Sequence, residues 1–287
     1  MGERVFSVIN TIFMLFIIAV MIYPLIYVVM ASVSDYYQLM KFRGLLIKPV
    51  GFNIDSYKAV FENNMLTGGF KNTMIVVTAG TSINMVLSIL GGYVLSKKEL
   101  MFRKPLMLFI IFTMYFSGGM IPLYLVVKGL GLIDSLLALV LPNAISTYNM
   151  LLLKNGFESI PKSLEESAKI DGASDILILF RIVVPLSMNI IAVIILYYAV
   201  YHWNSWFNAS IYIRDQAKWP LQLILQQILL DGDTGSMTGG ASEADRLAIS
   251  ETLKYTVITV TTLPILCIYP FLQRYFVTGV MTGSVKE

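Results

Sequence analysis

A helix needs about 20 mostly apolar residues to cross a bilayer. Six stretches of this chain meet that requirement: 12–31, 73–95, 106–127, 132–153, 182–201 and 253–272. This is too much apolar sequence for one soluble core. Of 287 residues, 56% are hydrophobic and 14% charged, whereas soluble domains carry about 25% charged residues. The expected fold is an all-α membrane protein with six transmembrane helices. The fourth stretch is the most interrupted, holding Asp134, Pro142, Asn143 and Asn149. Gly91-Gly92, Gly118-Gly119, Pro122, Pro142, Pro264 and Pro270 also fall inside these stretches, where close helix packing or a kink explains them. Arg4 ahead of the first apolar run resembles a signal peptide. That run continues through Ala31 without a small-residue cleavage site and reads as a retained span. The lone Cys267 excludes an intrachain disulfide and reads as a small buried apolar side chain.

Orientation follows from the short loops. Loop 96–105 carries Lys97, Lys98, Arg103 and Lys104, and loop 128–131 only Lys128. The first is therefore expected inside and the second outside. With six spans, both termini and segment 154–181 are cytoplasmic, and the long loops 32–72 and 202–252 external. The second long loop begins aromatic, HWNSWFNASIYI, and then turns amphipathic, with Leu221, Ile224, Leu225 and Ile228 at helical spacing. DGDTGSMTGGASEAD follows and reads as a flexible loop. His202, the sole histidine, reads as a polar interfacial residue rather than a proton relay or metal ligand.

Segment 161–185, PKSLEESAKIDGASDILILFRIVVP, is the one long charged stretch between apolar neighbours. Pro161 suits a first helical turn, and Ser163-Leu164-Glu165-Glu166 matches a capping box. These place the helix start a few residues apart, and both starts remain open. Ile160, Leu164 and Ala168 form one apolar face. Asp171-Gly172 breaks the pattern, and Gly172 is suited to a positive φ after the helix. Ser174 or Asp175 then caps a second helix containing Ile176, Leu177, Leu179 and Phe180. The resulting helix–turn–helix is either a surface hairpin with a solvated acidic face or a docking element. Small residues at Ala168, Gly172 and Ala173 leave a low turn for a partner, and Glu166 and Asp171 offer it negative charge.

The string E-S-A-K-I-D-G-A, with Phe180 and Pro185 after it, resembles the EAA loop of ABC importer membrane subunits, roughly E-A-A-x-x-D-G-A. Glu166, Ala168, Asp171, Gly172, Ala173 and Pro185 match, and Ser167 stands where Ala is usual. The rest of the chain is similar to the second membrane subunit of maltose-type carbohydrate importers, with a MetI-like fold. Asn72-Thr73, Gly129-Leu130-Gly131-Leu132, and the ending Leu272-Gln-Arg-Tyr-Phe276 with Gly279 fit that subunit. SGGMIPLYLVVKGLGLIDS and YHWNSWFNASIYI resemble the branch that handles larger or polysaccharide-derived oligosaccharides.

The resemblance implies residues 1–69 as an N-terminal helix with an external loop, and 70–287 as the importer transmembrane domain with coupling loop 154–185. It implies a bacterial cell-membrane assembly: a heterodimer with a second such permease, two cytoplasmic ATPases and an external solute-binding protein. The chain has no Walker motif, so it is expected to be a transport subunit and not an enzyme, with ATP and Mg held by the partner ATPases and no cofactor of its own. The ATPase-coupling residues would be Glu166, Ser167, Ala168, Asp171, Gly172 and Ala173. Glu166 would pair with a basic ATPase residue, and Gly172 would make the tight turn. Arg274, in a cytoplasmic tail, is either an ATPase contact or a positive-inside anchor.

Aromatic faces and hydrogen-bonding groups for a sugar path are offered by Tyr115, Phe116, Tyr197, Tyr198, Tyr201, Trp203, Asn204 and Trp206. An interfacial aromatic belt explains Trp203 and Trp206 as well. Asp134 is either a helix cap or part of the binding-protein contact. A peptide or amino-acid importer is the alternative cargo. An ion-driven transporter would favour charged residues within the spans, and a membrane enzyme would need a catalytic constellation; the chain offers neither. Membrane lipid is an expected partner and nucleic acid is not.

Overall fold

A computed structural model describes residues 2–231, 252–267 and 270. No strand occurs among them, only an isolated bridge between Ser34 and Phe52. In chain order the helices are α1 (Gly2–Ser32), α2 (Tyr36–Lys41), α3 (Asp55–Glu62), α4 (Asn64–Ser96), α5 (Arg103–Tyr115), α6 (Met120–Gly129) and α7 (Leu137–Asn143, ending in a 3-10 turn). Then come α8 (Thr147–Glu158), α9 (Lys162–Ile170), α10 (Asp175–Leu186), α11 (Met188–Trp203), α12 (Trp206–Tyr212), α13 (Leu221–Asp231) and α14 (Thr252–Cys267).

Among the described residues two helices are individually long and apolar enough to cross a membrane, α1 from Arg4 and α4. None of the apolar window of α1 is covered by the rest of the described chain. A helix that is apolar all round and uncovered needs lipid or a partner against it. The third, fourth and fifth stretches are not the continuous helices expected. Each is a bent pair: α5 and α6 at 107°, α7 and α8 at 54°, α10 and α11 at 87°. The sixth stretch starts in α14, and beyond Cys267 only residue 270 of it is described; residues 232–245 of the Gly- and Ser-rich loop, Arg274 and the C-terminal tail lie outside the described residues. Cys267 is exposed, against its expected burial.

Each break has a local cause. Between α5 and α6 the chain turns through Gly119 at φ +89, a conformation nearly closed to residues with a Cβ. Pro142 ends α7, and Ser146 starts α8 by accepting a hydrogen bond from the Asn149 amide. In α10, Pro185 cannot donate, and its ring crowds the carbonyl four residues back. The turn just before it widens to a π-helix over Leu179–Val183, and the helix ends at Leu186.

The chain divides into two compact units. The first joins Met1–Thr67 with Ile224–Pro264. In it the end of α1 is tied down by Ser32, whose Oγ lies 2.7 Å from the Tyr57 hydroxyl and whose carbonyl accepts from Thr256. Ser56 and Thr252 share a buried hydrogen bond of 2.9 Å.

The second unit contains Gly68–Leu223 and has two apolar cores. One gathers Tyr93, Leu153, Phe157, Ile178, Leu179 and Ile194, with Ile160, Ala168 and Ala173 against it. The other gathers Val76, Val127, Leu139, Tyr212 and Leu223. The same unit holds a polar knot. Asn84 Nδ2 donates to the carbonyls of Asn143 (2.7 Å) and Ala144 (2.8 Å), which the break after α7 leaves free, and Asn84 Oδ1 lies 2.6 Å from His202 Nε2. The Tyr198 hydroxyl accepts from the Ser146 amide at 3.1 Å and lies 2.7 Å from Ser88 Oγ. His202, expected near the interface, is fully buried within the protein. It approaches so closely that a Cβ on Gly80 would lie 2.5 Å from its ring. Unpaired backbone is costly where no water can reach it. Asn84→Leu should therefore lower stability by about 1–2 kcal/mol, measured as the unfolding midpoint of the purified protein in detergent. An unchanged midpoint would show that the break does not depend on this side chain.

Candidate functional site

The 161–185 segment folds as two helices around one glycine. Pro161 is the N-cap residue of α9, so Ser163 lies inside the helix and no capping box forms. Gly172 has φ +84. Its amide donates to the Lys169 carbonyl at 3.0 Å, and the Ala173 amide to the Ala168 carbonyl at 2.9 Å. This pair of bonds is a Schellman closure. Ser174, not Asp175, caps α10, accepting from the Leu177 amide. Ala168 and Ala173 turn inward against the core, whereas Glu166, Ser167, Asp171 and Gly172 are exposed. A Cβ added at Gly172 would meet nothing within 4 Å. Glu166 makes no ion pair among the described residues.

The outward surface of this turn is apolar as well as charged. Ile170 is 86% exposed, Ile176 69% and Phe180 54%. Burying one such side chain is worth about 1.5–3 kcal/mol, and an exposed ion pair about 0–1 kcal/mol. The apolar side chains thus offer more burial energy on this surface than its exposed carboxylates do.

Beside α9 a cavity of about 330 Å³ is lined by Lys97, Glu99, Lys162, Glu165, Glu166 and Lys169, among others. Lys97 is hydrogen-bonded to Glu165 and lies 4.0 Å from the centre of the Tyr93 ring. Burial opposes its charge, but Glu165 and Tyr93 outweigh that and hold its pKa above the ordinary value. Lys162 bonds Glu99 at 2.8 Å, which lowers the pKa of that carboxyl. The sequence offered each charge but not the pairing of residues so far apart.

Three of the eight proposed sugar-path residues come together. Tyr197, Tyr198 and Tyr201 line a cavity of about 430 Å³ with Asn143, Ser146 and Asn149. The polar members come from the broken fourth stretch, and their one sequence signal was polarity inside an apolar run. The other five lie outside this cavity. Tyr115 is exposed at the end of α5, and Phe116 stacks on Phe112 at 5.2 Å. The Asn204 amide bonds the Val200 carbonyl of its own helix. Trp206 meets Phe207 edge to face. Trp203 is only 6% exposed and packs against Phe70 at 6.3 Å.

Asp134 is not a helix N-cap. It lies ahead of α7 at φ +62 and binds the segment after α12. Its Oδ1 accepts from the amides of Arg214 (3.1 Å) and Asp215 (3.0 Å), and its Oδ2 pairs with Lys218 at 3.1 Å. Nearby, the Asn72 side chain donates to the carbonyls of Ala217 and Trp219, and Thr73 accepts from the Leu221 amide.

No family model matches the chain. It is 43% identical over 291 residues to a polygalacturonan/rhamnogalacturonan transport system permease protein of Bacillus subtilis, with all of both chains covered. The chain belongs to the ABC sugar-importer permeases. The permease is also 30% identical to a chain of a bacterial ABC transporter involved in import of the acidic polysaccharide alginate. The TM-score of that match is 0.87, with 96% of this chain and 98% of that one covered. A further chain, from a bacterial alginate ABC transporter in complex with a pentasaccharide-bound periplasmic protein, shares the fold with TM-score 0.56 at 14% identity, covering 94% and 93%. The permease is thus a transport subunit for carbohydrate import, with the all-helical fold of its relatives.

The Asp134 contacts give a test. The Asp215 amide, Lys218 and the Arg214 amide hold its pKa below the ordinary 3.8. Its stabilising contribution is present above that value and is lost as pH falls through the lower folded-state pKa. Asp134→Ala should speed hydrogen–deuterium exchange at the Arg214 and Asp215 amides at neutral pH. Unchanged exchange would mean that the carboxylate does not hold the segment.

Proposed function

We propose that this permease passes oligosaccharides derived from an acidic polysaccharide through a bacterial cell membrane. Its partners would be a second, homologous permease, two ATPases that bind ATP and Mg, and an external binding protein that delivers the sugar. The observation that carries the proposal is the 43% identity, end to end, to a pectic-polysaccharide permease. The likeness to a chain of an alginate importer supports the acidic class. The binding-protein partner is supported by a relative of the same fold, whose structure includes a sugar-loaded periplasmic protein. The peptide and ion-driven alternatives are not favoured.

In this proposal the chain has six spans with both ends in the cytoplasm, α9 and α10 at the cytoplasmic surface, and Asp134 and α12 at the outer one. The ATPase would receive the Gly172 turn, with Ile170, Ile176 and Phe180 buried against it and Glu166 beside a basic side chain. The tyrosine and asparagine cavity would line the sugar path. Aromatic faces with a few placed amides and hydroxyls form a lining suited to a neutral sugar ring. Among the described residues the lining has no cationic side chain, so in this proposal the carboxylates of the sugar would be met by the partner permease. Arg274 remains a candidate ATPase contact in the tail.

Cells carrying the complete transporter should take up labelled oligogalacturonates in preference to neutral maltooligosaccharides. Uptake of the neutral series alone would overturn the acidic assignment. For docking, Ser167→Cys should cross-link to a cysteine in the ATPase cleft. Ile170→Asp should reduce ATPase co-purification more than Glu166→Gln. The reverse order would mean that charge, not apolar burial, holds the partner.

A further inference from the structure

The Gly172 turn has two physical connections to the sugar cavity, and they differ in stiffness. One runs through α10 into α11, which carries Tyr197, Tyr198 and Tyr201. That route bends by 87° at Ser187, just after a π-helical turn. The other runs through α4. This helix is continuous over 33 residues, from Asn64 to Ser96, while its partners α5 to α8 and α10 to α11 are all broken. Residues 84 and 88 of α4 hold the Asn143 and Ala144 carbonyls and the Tyr198 hydroxyl at the cavity. Residues 72 and 73, toward its start, bind the 217–221 segment.

The end of α4 is fastened to α9. Lys162 and Glu165, three residues apart, share a face of α9. They meet charges of opposite sign just past α4, Glu99 and Lys97. The two pairs alternate in sign, so the clamp has one register. They are not equal. Lys162 and Glu99 are 54% and 72% exposed, and Lys97 and Glu165 only 23% and 19%. An exposed pair contributes little, while removing one partner of a sheltered pair leaves a charge without its counterpart. Lys97 also lies over Tyr93, which belongs to the core beneath α9.

We infer that the Lys97–Glu165 pair makes α9 and α4 one rigid lever, so that ATPase-driven movement of the turn reaches the sugar cavity through α4. Lys97 and Glu165 are then positioning residues for transport. They act on the sugar path through Asn84 and Ser88 and touch neither ATP nor sugar. Rigid elements with packed ends are the physical carriers of such coupling. The inference rests on the proposal that the Gly172 turn docks on the ATPase.

The test uses the complete transporter in proteoliposomes, with binding protein and an oligosaccharide it transports. ATP hydrolysis and sugar uptake are measured on the same preparation, together with co-purification of the ATPases. Lys97→Glu and Glu165→Lys should each lower sugar taken up per ATP hydrolysed by about tenfold, with the ATPases still bound. The double swap, Lys97→Glu with Glu165→Lys, should restore the ratio to within about twofold of the parent. Lys162→Glu should leave it near the parent value. The inference is overturned if either single variant keeps the parent ratio. It is also overturned if the double swap is no better than the worse single variant, or if the single variants lose the ATPases. Failure of the docking proposal itself is seen separately, as absence of any Ser167→Cys cross-link in the parent background.

Discussion

Every break in a helix at membrane depth leaves backbone groups that water cannot satisfy, and the described structure is organised around meeting that demand. Three of the apolar stretches are bent pairs. The break between α7 and α8 is closed by Asn84 from α4 and by the Tyr198 hydroxyl from α11. Irregular backbone is tolerated at such depth where it lies in protein or lines a cavity. Here it does both: Asn143 and Ser146 border the tyrosine cavity, while Asn84 and His202 fill the protein behind them. The groups that satisfy the break are thus neighbours of those that line the cavity.

This arrangement gives α4 two roles that reinforce each other. It must stay straight to present Asn84 and Ser88 to the break, and its length connects the break with the charged turn region. Its packing against α8 is close: a Cβ on Gly92 would lie 3.2 Å from Leu153 and from the backbone of α8. Small residues permit such backbone approach in membranes. The helices that line the cavity are the broken ones, and the helix that spans its back is not.

Much of this was legible in the chain. Hydropathy located the apolar stretches, and the glycine after Asp171 indicated the positive φ that closes α9. The local turn chemistry of Ser174 and Gly172 acts within a few residues, which is why it can be read directly. The breaks were signalled by Gly118-Gly119, Pro142 and Pro185, but a 20-residue hydropathy window averages across such signals. The burial of Trp203 and His202 was not legible for a different reason. Their residue types suit an interface, and only tertiary contacts with Phe70, Gly80 and Asn84 bury them. The Lys97–Glu165 pair was invisible because its members are 68 residues apart, and both lie among other charges, Lys98, Glu99 and Arg103 on one side and Lys162, Glu166 and Lys169 on the other.

The claim that α9 and α4 move as one body is open to a direct measurement. Spin labels are placed in pairs on the complete transporter in nanodiscs, with the exposed Cys267 first replaced by serine. One pair joins Ser167→Cys on α9 to Lys71→Cys near the start of α4, and the other joins Ser167→Cys to Asn204→Cys just past α11. Distances are read by pulsed electron resonance with and without trapped ATP. A rigid lever keeps the Ser167–Lys71 distance constant while the Ser167–Asn204 distance changes. A Ser167–Lys71 distance that changes as much as the other would contradict it.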